Sequence, residues 1–266
     1  MECVALKDWR GSDNPEYELE LSKICLNQTT IQTQHVQLMQ QGVSINGHER
    51  SYVHTVSNNE EGKDLIIYYH GSRGNAWMSA LNETRWIEHS NDFIIVFGQA
   101  EGTVEQPHIH DHYKYISYGE LYWEIRDNAK QFQNDLSYTD KIISDMKQKY
   151  NIDRVFFVGH SNGGVFGCLL AIYRCNIFNG IVSHMGGIGY DPHFYLDFTK
   201  LIGKKTPLLF YTGENDIHKS TCEAALSIFQ NEEFPEVMIH IEPKIKHEYI
   251  HTCEKYILNW FNQLKY

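Results

Sequence analysis

The sequence is short of several things, and each shortage narrows its role. No run of about 18 apolar residues occurs, so no segment is built to cross a bilayer as a helix. The six cysteines, Cys3, Cys25, Cys168, Cys175, Cys222 and Cys253, form no C-x-x-C pair and are too sparse for a disulfide-held scaffold; they are expected to be reduced, small, buried side chains. Only six prolines are present, with no Ser/Pro-rich tract, repeat or low-complexity stretch, so nothing marks a linker and one domain over residues 1–266 is expected. Positive charge is scarce: 23 Lys+Arg stand against 34 Asp+Glu, a formal charge of -11 that disfavours nucleic acid and anionic membrane surfaces as partners. The first residues, Met1-Glu2-Cys3-Val4-Ala5-Leu6-Lys7-Asp8, lack the basic-then-apolar order of an export signal, and a cytoplasmic location is the expectation.

What is present is an ordinary globular composition with an excess of rings. Tyrosine contributes 17, phenylalanine 13, tryptophan 5 and histidine 15. Short continuous apolar runs recur at Leu65–Tyr69, Phe93–Phe97, Val155–Val158, Gly180–Val182, Pro207–Tyr211 and Val237–Ile241, separated by segments of helical period. Unbroken apolar strands suit a parallel sheet covered on both faces by helices. Residues 17–26 and 34–56 alternate apolar and polar positions, with Asn46-Gly47 as a hairpin turn, and predict an antiparallel N-terminal edge. Residues 1–42 are thus read as edge strands and extension. Leu136, Ile143, Met146 and Tyr150 predict one helix, a second should leave Ser161, and Tyr249, Cys253, Tyr256, Trp260 and Leu264 predict a closing helix.

Gly159-His160-Ser161-Asn162-Gly163 fits G-x-S-x-G between a strand and an apolar helix. Such a turn is so sharp that the residues two before and two after the serine must be very small, which Gly159 and Gly163 satisfy; the serine is then presented as a nucleophile. A serine that merely caps a helix would show the same five letters, but the flanking strand and helix favour the nucleophile. A serine hydroxyl is a weak nucleophile and needs a neutral imidazole oriented by a carboxylate, here in the chain order Ser, Asp or Glu, His. Of His184, His193, His218, His240, His247 and His251, the position of His247 between the last strand and the closing helix makes it the base, with His251 in reserve. Asp216, in the loop after Tyr211, is the carboxylate, with Glu214, Asp191 and Asp197 as weaker candidates. An oxyanion requires two backbone N–H donors: Asn162 supplies one, and the loop His70-Gly71-Ser72-Arg73-Gly74 the other, through Ser72 or its neighbour Gly71.

Together these segments resemble the α/β-hydrolase superfamily and, within it, the polyhydroxybutyrate depolymerase and feruloyl esterase-like branch. The likeness runs from about residue 43 to the C-terminus. It includes Gly47-His48-Glu49-Arg50-Ser51-Tyr52, the His70-Gly71 loop, Asn134-Asp135-Leu136-Ser137-Tyr138, Tyr150–Val155, Gly159–Gly164, Gly213–Asp216 and His247. It implies a serine esterase that works through an acyl-enzyme on a small-molecule ester and takes no cofactor. A thioesterase or peptidase using the same three residues, and a catalytically silent binding protein on the same fold, are the alternatives. The chain departs from that branch in lacking an export signal and paired cysteines. It also carries Gly98-Gln99-Ala100-Glu101-Gly102 where a proline-containing motif is usual. His108-Ile109-His110-Asp111-His112 invites a metal reading, but it lacks a residue of the dinuclear H-x-H-x-D-H pattern. No metal is expected. Residues 99–125, rich in Tyr and His, are read instead as a loop at the substrate mouth.

Overall fold

The computed structural model describes residues 30–33, 36–57, 62–101, 122–127, 129–189, 196–249 and 252–264. The apolar runs become strands because each is buried on both faces and needs its backbone groups paired by neighbours. They are β4 (Lys63–Tyr69), β5 (Phe93–Gly98), β6 (Ile152–His160), β7 (Gly180–His184), β8 (Leu208–Gly213) and β9 (Val237–Glu242). Ahead of them lie β1 (Thr30–Gln32), β2 (Gln37–Ile45) and β3 (His48–Thr55).

The described strands form one sheet in the order β1-β2-β3-β5-β4-β6-β7-β8-β9. The pairs β1/β2, β2/β3 and β3/β5 are antiparallel and all others parallel, giving the expected α/β architecture with an antiparallel N-terminal edge. The β2–β3 hairpin turns at Asn46 (φ 52°) and Gly47 (φ 84°), both left-handed as a two-residue turn demands.

Alternate residues of each central strand feed two cores. Leu65, Ile67, Tyr69, Phe157, Ile181 and Phe210 face α1 (Lys130–Lys149), α2 (Asn162–Tyr173) and α3 (Lys219–Asn231). Ile66, Tyr68, Phe156, Val182 and Leu209 face α4 (Cys253–Gln263) and a run of short helical turns between Ala76 and His89 carrying Trp77 and Trp86. That run and α3 had no counterpart in the sequence reading. The closing helix starts later than its apolar spacing suggests: Tyr249 lies ahead of α4, its hydroxyl donating to Glu254 Oε1 (2.9 Å) in the first turn. No described helix is long and apolar enough to cross a membrane.

The chain leaves β4 for β5 on one side and returns to β6 on the other. The loops at the carboxyl ends of β4 and β6 therefore diverge, and crevices at such switch points are where open α/β sheets bind ligands. His70–Gly74 and the G-x-S-x-G turn occupy those two loops.

Candidate active site

Ser161 joins β6 to α2 with φ 51° and ψ -116°, a left-handed backbone that a non-glycine residue adopts only under constraint. The constraint is visible on both sides. Its N–H donates to the His184 carbonyl (2.8 Å) and its carbonyl accepts from Val165 N–H (3.0 Å). A Cβ on Gly159 would sit 2.1 Å from the Gly163 carbonyl oxygen, and one on Gly163 would sit 2.4 Å from that of Tyr69. Only glycine fits at either place, which is the steric demand inferred from the motif.

His247 Nε2 lies 3.0 Å from Ser161 Oγ, and its Nδ1 lies 2.9 Å from Asp216 Oδ1. An ionised carboxylate only accepts, so Nδ1 carries the proton and Nε2 is left to accept from the serine hydroxyl. The buried Asp216 also accepts from His218 N–H (2.8 Å) and from the Thr212 hydroxyl (3.0 Å). Burial pushes its pKa up, but the hydrogen bonds from His247, His218 N–H and Thr212 outweigh that and hold the carboxyl below its ordinary value.

The other carboxylates weighed from the sequence are engaged elsewhere. Glu214 is exposed and accepts from Lys244 N–H (2.9 Å), and Asp197 caps the turn Phe198–Lys200 through Thr199 N–H (3.1 Å). His240 pairs with Glu242 inside β9. Asp191, His193, His251 and the His108–His112 segment lie outside the described residues. Among the described residues no group of three or more His, Cys, Asp or Glu is arranged to hold a metal ion.

Sequence reasoning missed the rings around His247. His160 stacks on it (centroids 5.7 Å, 22°), and His218 approaches at 4.8 Å. Behind them His160 Nδ1 and His184 Nδ1 lie 3.3 Å apart, one donating and one accepting, which requires at least one of the rings to be neutral. Burial, joined by the charge of nearby imidazoles, holds His184 down to about 3, His218 to about 4 and His160 well below its ordinary value. A usable signal existed: His160 and His184 are the last residues of adjacent parallel strands and pair in register.

On the opposite flank, the backbone at Gly71 passes so close that a Cβ there would sit 3.1 Å from Ser161 Cβ. Ser72 is exposed in the following turn. The described ends of the 99–125 stretch are anchored here: Ala100 N–H donates to His70 Nε2 (3.2 Å), and the Trp123 backbone pairs with the Asn162 side chain. Beneath lies Arg50, whose guanidinium donates to Asp135 (2.7 Å) and to the Gln99 carbonyl (2.9 Å) and stacks 3.7 Å above Tyr138. Burial pushes the Asp135 carboxyl up to about 6 against the opposing pull of Arg50.

Residues 54–174, which carry both of these loops, match the family model described as alpha/beta hydrolase of unknown function (DUF915). Uncharacterized hydrolase R843 of Acanthamoeba polyphaga mimivirus is 29% identical over 218 residues, 74% of this chain and 69% of that protein. Among solved structures, an S-formylglutathione hydrolase from Agrobacterium tumefaciens aligns with a TM-score of 0.63 at 14% identity, covering 89% of this chain and 98% of that one. A CE1 ferulic acid esterase from Anaeromyces mucronatus aligns with a TM-score of 0.59 at 13% identity, covering 89% and 96%. At such identities the structural likeness is one of fold. The chain thus has the α/β-hydrolase fold, and its match to the alpha/beta hydrolase family model runs across the serine elbow.

Proposed function

We propose that the protein is a serine hydrolase that cleaves carboxylic esters through an acyl-enzyme. The observation that carries this reading is the bridge made by His247 between Asp216 and the Ser161 hydroxyl. Ser161 Oγ attacks the acyl carbon while His247 Nε2 takes the hydroxyl proton, and the Asp216 carboxylate stabilises the imidazolium that forms. The carbonyl electron pair moves onto oxygen, where the N–H groups of Asn162 and of Ser72, or of Gly71 beside it, receive the charge. The C–O bond to the alcohol then breaks, and His247 returns the proton to the leaving oxygen. Water deprotonated by the same imidazole attacks the acyl-serine, and collapse frees the acid and restores the hydroxyl. Every proton and electron pair is accounted for without a cofactor.

The solved structures with this fold include a ferulic acid esterase and an S-formylglutathione hydrolase, which makes oxygen esters and thioesters the substrates to test first. A fluorophosphonate probe should label the wild-type protein at Ser161 and leave Ser161→Ala unlabelled. The same substitution should lower turnover of a short p-nitrophenyl ester by about 10⁴-fold or more. Full activity in Ser161→Ala sinks the reading.

A further inference from the structure

Asn162 follows the nucleophile, and its side chain does something that donating a backbone N–H does not require. Oδ1 accepts from Trp123 N–H (2.6 Å) and Nδ2 donates to the Trp123 carbonyl (3.1 Å), so the amide grips both backbone polar groups of one residue. The Trp123 ring is fully buried and lies flat on Tyr69, the last residue of β4, with centroids 3.7 Å apart and planes 5° apart. Its indole Nε1–H donates to the His70 carbonyl (3.0 Å).

His70 continues the chain of contacts. Its Nδ1–H donates to the Gly71 carbonyl (2.7 Å) while Nε2 accepts from Ala100 N–H. Gly74 N–H holds the same Gly71 carbonyl at 3.1 Å. In a trans peptide the C=O and N–H point in opposite directions. Fixing the His70 carbonyl therefore fixes the direction of Gly71 N–H, and fixing the Gly71 carbonyl fixes that of Ser72 N–H. Both candidates for the second oxyanion donor are thus aimed by groups that are themselves buried.

We propose that Trp123 is the positioning residue of the oxyanion site, setting one donor peptide through the Asn162 side chain and the other through the His70 carbonyl. The inference rests on the serine hydrolase reading. Its physical basis is that donors act on charge that develops only in the transition state, so a small misdirection costs turnover and not ground-state binding.

Two substitutions cut the two arms separately. Trp123→Phe keeps a ring against Tyr69 and the backbone that Asn162 grips, and removes the indole N–H together with part of the buried ring. Asn162→Ala releases Trp123 but keeps the N–H of residue 162; it acts on a half-buried side chain and carries the test if Trp123→Phe does not fold. With a short p-nitrophenyl ester, each should lower kcat by about 10-fold or more, with KM within about 3-fold of wild type. Affinity for an aryl boronic acid, which becomes a tetrahedral adduct on the serine, should weaken in proportion to kcat. The double variant should lose less than the product of the single losses, because both cuts fall in one chain of contacts.

If either folded variant keeps kcat within about 2-fold, or loses kcat with boronic acid affinity unchanged, the role of Trp123 falls while the hydrolase stands. If the wild-type protein takes no fluorophosphonate at Ser161, the hydrolase reading falls and this inference with it.

Discussion

On one flank of Ser161, Asp216 and His247 reach in from the loops after β8 and β9, joined to each other at 2.9 Å and, through His247, to the serine hydroxyl at 3.0 Å. On the other flank, peptide groups of the loop after β4 are held by the buried rings of His70 and Trp123, and after β6 the Asn162 side chain grips the Trp123 backbone. The first flank is made of side chains, so residue type and chain order disclose it. The second is made of backbone, whose direction is set by packing between residues that are distant in sequence. Trp123 and Asn162 are 39 apart, and Arg50 and Asp135 are 85 apart. The two flanks should therefore fail in different ways when broken: the first by losing chemistry in an intact molecule, the second by losing chemistry and stability together.

The sharpest break is Asp216→Asn. It keeps the shape of the side chain but stops the carboxylate from fixing the His247 tautomer. Turnover should fall by about 10⁴-fold, or about 5 kcal/mol of barrier, with little change in melting temperature. An equal loss of stability would erase the distinction between the flanks.

Arg50→Met tests the other side. It strips the guanidinium from a buried Asp135 and should destabilise the fold by about 3–5 kcal/mol in denaturant titration at pH 8. The Asp135 carboxyl already sits at about 6, so a lower pH lets it take up a proton, and the cost should shrink toward pH 5.5.

Acid should act on both flanks. Burial depresses the pKa of His70 after β4 to about 4, of His184 behind His247 to about 3, and of His160 well below the ordinary value. With folded values below the unfolded value of about 6.5, each ring binds a proton only on unfolding as pH falls from about 6.5 toward its folded value. Stability is fully present above about 6.5 and is lost across that window, by up to about 1.4 kcal/mol per pH unit for each ring. Proton uptake on unfolding at pH 5.5, measured against His184→Phe and His70→Gln, should drop by about one proton in each variant; unchanged uptake would show that the ring is already charged in the folded protein. The smallest effect belongs to His48, whose half-exposed ring lies 3.6 Å from Glu101 at the rim of the Arg50 cluster. His48→Ala should change stability by less than about 1 kcal/mol.

The same contrast explains what the sequence made readable. The parallel strands were legible because a doubly buried strand is apolar at every position, as in Leu65–Tyr69, and the β2–β3 turn because Asn46-Gly47 suits two left-handed residues. That Ser161, Asp216 and His247 come together was legible through motif and order. The helical run from Ala76 to His89 was hidden because no single period spans its α, π and 3-10 turns, and Tyr249 was drawn into α4 by a spacing that its loop merely imitates. His70 was passed over because it stands before the nucleophile in the chain and so outside the order required of a base. Its part in the structure is to hold a carbonyl, which leaves no trace in residue type.

The strained serine has one more consequence. Ser161 is bonded through its N–H to the edge of β7 and through its carbonyl to the first turn of α2, with the Gly159 and Gly163 backbones closed around it. It has no loop of its own in which to loosen, so it shares the fate of the sheet. If the proposed function holds, activity serves as a gauge of the intact fold: a heat or denaturant curve followed by ester turnover should trace the melting of the protein itself.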